Sequence, residues 1–170
     1  MGDHAPRIIE ALDLFPNVRG ARFADHPDRA LRGWIARGQS AYLVHDRDPL
    51  EHVAAAWVEF FDDQSTIGIL DLEVDRAVDA FGTGEVSMPD YYVVVDPASL
   101  PPTWKHWWLG VLPQAAPTRV IPWETDGGTP LAGLLRGLPT SRMWPEPEPW
   151  LRRVARSVPD RIWLDGPAAG

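Results

Sequence analysis

The chain has 170 residues, with 24 acidic and 16 basic residues for a net charge of −8, five His and no Cys. These figures fit one globular domain over residues 1–170 and exclude disulfide bonds and cysteine-ligated zinc. Because 45% of the residues are hydrophobic and nine are Trp, the chain can build a core, which argues against wholesale disorder.

The chain contains no stretch that predicts membrane insertion or secretion. The longest stretch without acidic or basic residues, between Lys105 and Arg119, has 13 residues, whereas a membrane-spanning helix needs about 20. The apolar residues after Arg7 are interrupted by Glu10 and Asp13, unlike the core of a signal peptide. We therefore expect a cytoplasmic protein with no membrane partner.

Apolar spacing and turn residues predict the elements of the first half. In chain order these are helices over 7–15 and 27–37, a strand over 40–45, a helix over 49–61 and a strand over 66–74. The third helix is favoured because Asp48, Pro49 and Glu51 resemble an N-cap, a first-turn proline and a reciprocal capping partner. The alternative is a hairpin formed by 53–61 and 66–74.

The second half is predicted to contain shorter elements separated by proline. They are a helical turn over 76–81, strands over 91–95, 107–112 and 118–123, helices over 131–138 and 150–158, and a last strand over 162–164. Pro122 would restrict its strand to a sheet edge or a bulge. Alternating prolines over 144–150 favour polyproline II, either as a docking strip or as a segment lying across the core. The fold class is therefore α+β, a single domain with a mixed or mainly antiparallel sheet flanked by short helices.

Charge, proline and tryptophan are distributed unevenly along the sequence. The acidic N-terminal half, 1–85, carries a net charge of −8, while the half rich in Pro and Trp, 86–170, is neutral and holds 14 of 18 Pro and seven of nine Trp. Residues 46–90 contain twelve acidic residues and only two Arg. Such a surface repels phosphate backbones, so we expect no nucleic-acid partner.

Three carboxylates lie at alternate positions of the predicted strand over 66–74. In a strand, Asp71, Glu73 and Asp75 would share one face at intervals of roughly 6.8 Å. With Asp96 as a fourth ligand they would suit Mg²⁺ or Mn²⁺, which can activate water for phosphoester hydrolysis. A half-buried strand also needs a solvated face, and we favour this second interpretation.

An aromatic cluster surrounds the only lysine of the chain. Trp104, His106, Trp107 and Trp108 flank Lys105, and aromatic rings of this kind bind partner proteins or bases. The alternative is an internal packing cluster, which is the more common fate of any single Trp.

These observations favour a non-catalytic protein-interaction module, similar in kind to inhibitors, immunity proteins or antitoxins. Its acidic surface, including Asp62 and Asp63, and its exposed aromatic residues would bind another protein of basic character, with no cofactor. The alternative is a metal-dependent phosphoesterase or nuclease that uses the four carboxylates, Mg²⁺ or Mn²⁺, and His45 or His106 as general base. A structural domain of a larger complex is a third possibility.

Overall fold

The computed structural model describes residues 4–125, 127–128, 130–138 and 143–154. The helices are α1 (His4–Leu12), α2 (Asp28–Arg37), α3 (Glu51–Phe61), α4 (Ile67–Gly82), α5 (Pro102–His106), α6 (Leu112–Ala115), α7 (Leu131–Arg136) and α8 (Pro147–Val154). The strands are β1 (Val18–Ala21), β2 (Tyr42–His45), β3 (Tyr92–Val95) and β4 (Val120–Trp123). A 3₁₀ turn spans Pro97–Ser99, and a π-helical turn, Trp107–Val111, joins α5 to α6. None of the helices in these ranges is long and apolar enough to cross a membrane.

The described strands form two separate two-stranded sheets, and both are parallel. Val18 pairs with Tyr42 in the first sheet, and Tyr92 pairs with Val120 in the second. Parallel neighbours require a crossover connection, which is α2 in the first sheet and the helical segment from α5 to α6 in the second. The predicted mixture of helices and strands is confirmed. The predicted mixed or mainly antiparallel sheet is wrong, because helices separate the paired strands.

Internal contacts divide the chain into two compact units. Unit 1 comprises Met1–Asp48 and Asp126–Leu138, and unit 2 comprises Pro49–Thr125 and Pro139–Gly170. Unit 1 contains the first sheet with α1, α2 and α7, and unit 2 contains the second sheet with the other helices. The single domain inferred from chain length stays a prediction.

Unit 1 has a small core between α1, the first sheet and α7. Its buried residues are Leu12, Val18 and Leu135. Strand β1 passes very close to α1 at Gly20, where a Cβ atom would lie 2.5 Å from the carbonyl oxygen of Ile9. Only glycine permits that approach, so Gly20 sets the distance between the helix and the sheet.

Unit 2 contains the larger core, centred on two tryptophans. Trp57 on α3 and Trp107 in the π-helical turn are both 0% exposed, and their ring centroids are 5.7 Å apart. The other fully buried large side chains of this unit are Leu50, Val53, Leu70, Leu109, Val111, Leu112 and Leu151. Burial of this many large apolar groups is the main stabilising term for the unit.

The strand predicted over 66–74 is wrong, because these residues belong to helix α4, which also includes the helical turn predicted over 76–81. Leu70, Val74 and Ala77 are its buried residues, and their spacing of four and three residues is that of a helix stripe. The helix predicted over 49–61 is confirmed as Glu51–Phe61, so the alternative hairpin does not form.

Residues 107–112 are helical and not the predicted strand. Pro113 has no backbone N–H and cannot donate to the carbonyl four residues earlier. The N–H of Leu112 donates instead to the carbonyl of Trp107, five residues back, which defines the π-helical turn. Two adjacent prolines at positions 101 and 102 begin this helical segment.

The other predicted elements agree with the structure within a few residues wherever it describes them. The strands predicted over 40–45, 91–95 and 118–123 correspond to β2, β3 and β4, and those over 7–15, 27–37 and 131–138 are helices. Pro122 lies in a two-stranded sheet, where each strand is an edge. Helix α8 already begins at Pro147, so the extended form predicted for 144–150 is wrong from there on. The predicted strand over 162–164 and the end of the helix over 150–158 lie outside the described residues.

Candidate functional site

The two units differ in net charge. Over its full range, unit 1 has eight Arg and eight acidic residues, net zero, whereas unit 2 has eight basic and sixteen acidic residues, net −8. The acidic character that the sequence assigned to residues 1–85 therefore belongs to unit 2. A field of this kind attracts cationic partners and repels anionic ones.

Most of the negative charge of unit 2 lies on α3, α4 and the residues that join and follow them. We call residues 51–85 the acidic helix pair, since α3 and α4 pack against each other. Arg76 is its one basic residue. Its acidic residues are Glu51, Glu59, Asp62, Asp63, Asp71, Glu73, Asp75, Asp79 and Glu85. The excess of negative charge favours a partner with several basic groups.

The outer face of α4 carries two large apolar side chains among these charges. Ile69 is 46% exposed and Leu72 is 44% exposed, and residues three apart are neighbours on a helix surface. Arg76 and Asp79 continue the same face one and two turns further and are also exposed. The result is an apolar pair bordered by charged groups.

The sequence prediction missed Ile69 and Leu72 as surface residues. As a strand, residues 66–74 would have placed Leu72 inside with Leu70 and Val74. On a helix, Leu72 lies 100° or more from the buried stripe. A helical interpretation of these residues would have identified the exposed pair from sequence.

Three of the predicted metal ligands lie on α4, where they no longer share one face. Asp71 and Asp75 are one turn apart on the same side of the helix, while Glu73 lies on another side of it. A carboxylate oxygen of Glu73 lies 2.6 Å from a guanidinium nitrogen of Arg76, and one of Asp75 lies 2.6 Å from Arg152 on α8. Two of these three carboxylates are therefore already paired with arginine.

Asp96, the fourth predicted ligand, follows β3 and holds the loop after β4. Its backbone is left-handed, with φ of 47°. Its Oδ1 accepts hydrogen bonds of 2.7 Å from both the backbone N–H and the hydroxyl of Thr125. Within the described ranges, no group of three His, Asp or Glu side chains is arranged to hold a metal ion. The structure does not bring the four carboxylates together.

Asp62 and Asp63 lie in the turn between α3 and α4, and both are exposed. The hydroxyl of Thr103 donates to Oδ1 of Asp62 at 2.5 Å, which ties this turn to α5. Asp63 takes a left-handed backbone with φ of 57°, a conformation that Asp tolerates better than most residues. Both carboxylates belong to the surface of the acidic helix pair.

The predicted aromatic binding cluster lies mostly inside unit 2. Trp107 is 0% exposed, so its ring lies in the core of unit 2 and not on its surface. Trp104 and Trp108 are half-buried against the same core, with the ring of Trp108 5.4 Å from that of Tyr92. Nδ1 of His106 is buried without a hydrogen-bond partner among the described residues. These rings anchor the helical segment from α5 to α6.

His45, the other predicted general base, ends β2 and is half-buried in unit 1. Burial lowers the pKa of His45 below its ordinary value of 6.5, and the backbone at Arg47 and the Asp46 carboxylate oppose that shift only in part. Its Nδ1 has no hydrogen-bond partner among the described residues. The folded protein therefore favours the neutral imidazole.

This shift predicts a loss of stability on acidification. Above pH 6.5 the imidazole is neutral in both states, but below it the unfolded chain binds the proton more readily. The free energy of unfolding should therefore fall as the pH decreases through 6.5 and level off below the folded-state pKa. Denaturant unfolding at several pH values should show a weaker pH dependence in His45→Gln than in wild type or in the control His52→Gln on α3. Equal pH dependence in all three proteins would contradict it.

Comparison with protein families, with curated proteins and with solved structures finds no match to this chain. We therefore argue its function from the chemistry of the site itself.

Proposed function

We propose that this chain is a non-catalytic protein-interaction module that binds a basic partner protein through the acidic helix pair. The observation that carries the proposal is the exposed pair Ile69 and Leu72 on α4, set among carboxylates. This revises the surface expected from sequence: the anchors are aliphatic residues of α4 instead of the aromatic residues after Trp104.

The two kinds of group have different roles in such an interface. Apolar side chains that become buried supply most of the affinity, and a few of them dominate it. The surrounding carboxylates raise the association rate with a cationic partner and select against anionic ones. Glu59 and Asp79 are exposed, and the structure gives neither an ion pair with a described residue. They are therefore available to a partner's Lys or Arg side chains.

The alternative of a metal-dependent phosphoesterase gains no support from the described residues. It needs Asp71, Glu73, Asp75 and Asp96 to converge, whereas Glu73 and Asp75 face arginines and Asp96 binds Thr125.

The proposal can be tested with a synthetic amphipathic peptide that has Leu along one helical face and Lys beside it. We expect isothermal titration calorimetry to show binding to wild type that weakens as salt is raised. The Ile69→Ser, Leu72→Ser double variant should bind at least about tenfold more weakly, because truncating one interface anchor commonly costs more than about 1 kcal/mol. An Asp79→Asn, Glu85→Gln variant should bind with a smaller salt dependence.

Two controls make the test specific. Ile35→Ser removes a 39% exposed apolar residue of α2 and should leave affinity unchanged. A peptide of the same composition with its Leu residues shuffled off one face should bind more weakly. Unchanged affinity of the double variant, or a wild-type dimer that the double variant abolishes, would overturn the assignment of a basic partner to this face.

A further inference from the structure

Unit 1 contains an open cleft of about 300 Å³ at the C-terminal end of α2. Arg19 on β1, Trp34 and Arg37 on α2, and Gln39 and Ser40 in the following segment line it. A volume of this size is at the lower end of the range for small-molecule sites. All the residues that line the cleft belong to unit 1, and none of them belongs to the acidic helix pair.

The cleft is positively charged, and its charge is poorly compensated. Nε of Arg19 lies 3.5 Å from the exposed carboxylate of Asp13, and the Arg19 side chain is 64% exposed. Arg37 has no ion pair with any residue that the structure describes. Arg19 and Arg37 line the same opening, and each guanidinium group can form charge-assisted hydrogen bonds with a bound anion.

The end of α2 does not cancel this charge. A helix C-terminus is equivalent to roughly −0.5 of an elementary charge, which is less than the charge of either arginine. The carbonyl of Ile35 also accepts the N–H of Gly38 at 3.0 Å. The net field in the cleft therefore favours an anion.

Trp34 gives the cleft a flat apolar wall. Its ring is half-buried and packs against the ring of Phe23, with the two centroids 5.3 Å apart. This contact holds the Trp34 ring in place, and Trp34 still lines the cleft. A planar ligand can stack on such a surface. Gln39 and Ser40 add hydrogen-bond donors and acceptors beside it.

We propose that this cleft binds a small planar anion: an aromatic ring that stacks on Trp34, with a phosphate or carboxylate group held by Arg19 and Arg37. The two guanidinium groups recognise the anionic group, and both phosphate and carboxylate accept their paired hydrogen bonds. The ring adds affinity that inorganic phosphate alone cannot gain.

Isothermal titration calorimetry with four probes tests the site. We expect adenosine monophosphate or benzoate to bind, and the better of the two identifies the anionic group. Adenosine and inorganic phosphate, which each lack one half of the recognised structure, should bind at least about tenfold more weakly than that probe. Arg37→Gln and Arg19→Gln should each weaken its binding about tenfold or more.

Matched variants separate a site from general electrostatic attraction. Arg29→Gln changes an exposed arginine of α2 that does not line the cleft and should leave affinity unchanged. Trp34→Leu should reduce the preference for the aromatic probe over inorganic phosphate. Arg37 forms no ion pair with a described residue, so its variant should unfold at the wild-type temperature. No saturable binding of either aromatic anion, or an equal loss in Arg29→Gln and Arg37→Gln, would overturn the proposal.

Discussion

Trp107→Ala is expected to lower the free energy of unfolding of unit 2 by about 3–5 kcal/mol. The side chain is 0% exposed and lies between α3 and the second sheet, with its ring 5.7 Å from that of Trp57. Its removal deletes a large buried apolar surface and leaves a cavity that the surrounding Leu and Val side chains cannot fill. Denaturant unfolding followed by far-ultraviolet circular dichroism measures the loss.

Two further variants separate packing from other effects. Trp107→Phe should lose less than Trp107→Ala, because it keeps an aromatic ring in the same space. Trp108→Ala removes a neighbouring ring that is only half-buried and should also cost less. A Trp108→Ala loss equal to that of Trp107→Ala would contradict the placement of Trp107 at the centre of the core.

Asp46→Ala should destabilise unit 1 by about 2–3 kcal/mol. Oδ1 of Asp46 accepts the backbone N–H of Phe23 at 2.5 Å and of Ala24 at 3.0 Å, and so fixes the loop that follows β1. The carboxylate side chain is only 10% exposed, so water cannot fully replace it. Hydrogen exchange of the unit 1 amides measures the effect, and we expect the exchange rate to increase most at the amides of Phe23 and Ala24.

The matched variants for this prediction are Asp46→Asn and Asp25→Ala. Asparagine keeps one acceptor oxygen and should lose less than alanine. Asp25 is exposed in the same loop, and its replacement should have little effect. If Asp46→Ala left exchange at Phe23 and Ala24 unchanged, the loop would not depend on this carboxylate.

The helix over 49–61 was predicted correctly, within two residues at its start. The structure places the N-cap at Leu50, whose side chain makes no capping hydrogen bond, whereas the sequence pattern assigned that position to Asp48. The apolar stripe that includes Val53, Ala54 and Trp57 is buried, as the periodicity predicted. Periodic apolar burial is therefore the signal that the structure supports for this helix.

Helix α4 shows where sequence periodicity becomes ambiguous. Leu70 and Val74 are four residues apart, which fits both a strand and a helix stripe. Leu72 completes a strand pattern, whereas Ala77 completes a helix pattern and lies beyond the short window that defined the strand. The same error placed three carboxylates on one face and so produced the predicted metal site.

The charge of the acidic surface could be predicted from composition, but neither proposed binding site could. Ile69 and Leu72 become exposed only because α4 is a helix. Arg19 and Arg37 line one cleft because of the crossover between β1 and β2, which depends on a parallel sheet where a mixed or mainly antiparallel one was expected. Tertiary topology therefore creates the cleft, whereas the exposed pair follows from local helical structure that the sequence analysis assigned to a strand.

The division of unit 1 between two chain segments bears on the order in which the protein folds during synthesis. Unit 1 has five buried apolar residues among those that the structure describes. Ile9, Leu12, Val18 and Phe23 precede unit 2 in the chain, while Leu135 follows most of unit 2. The first segment therefore leaves the ribosome long before its core can close. The core of unit 2 is completed later still, because Trp150 and Leu151 on α8 belong to it and follow Leu135 in the chain. Unit 1 is therefore the first of the two whose described core residues have all been translated, although it contains both the earliest and some of the later residues.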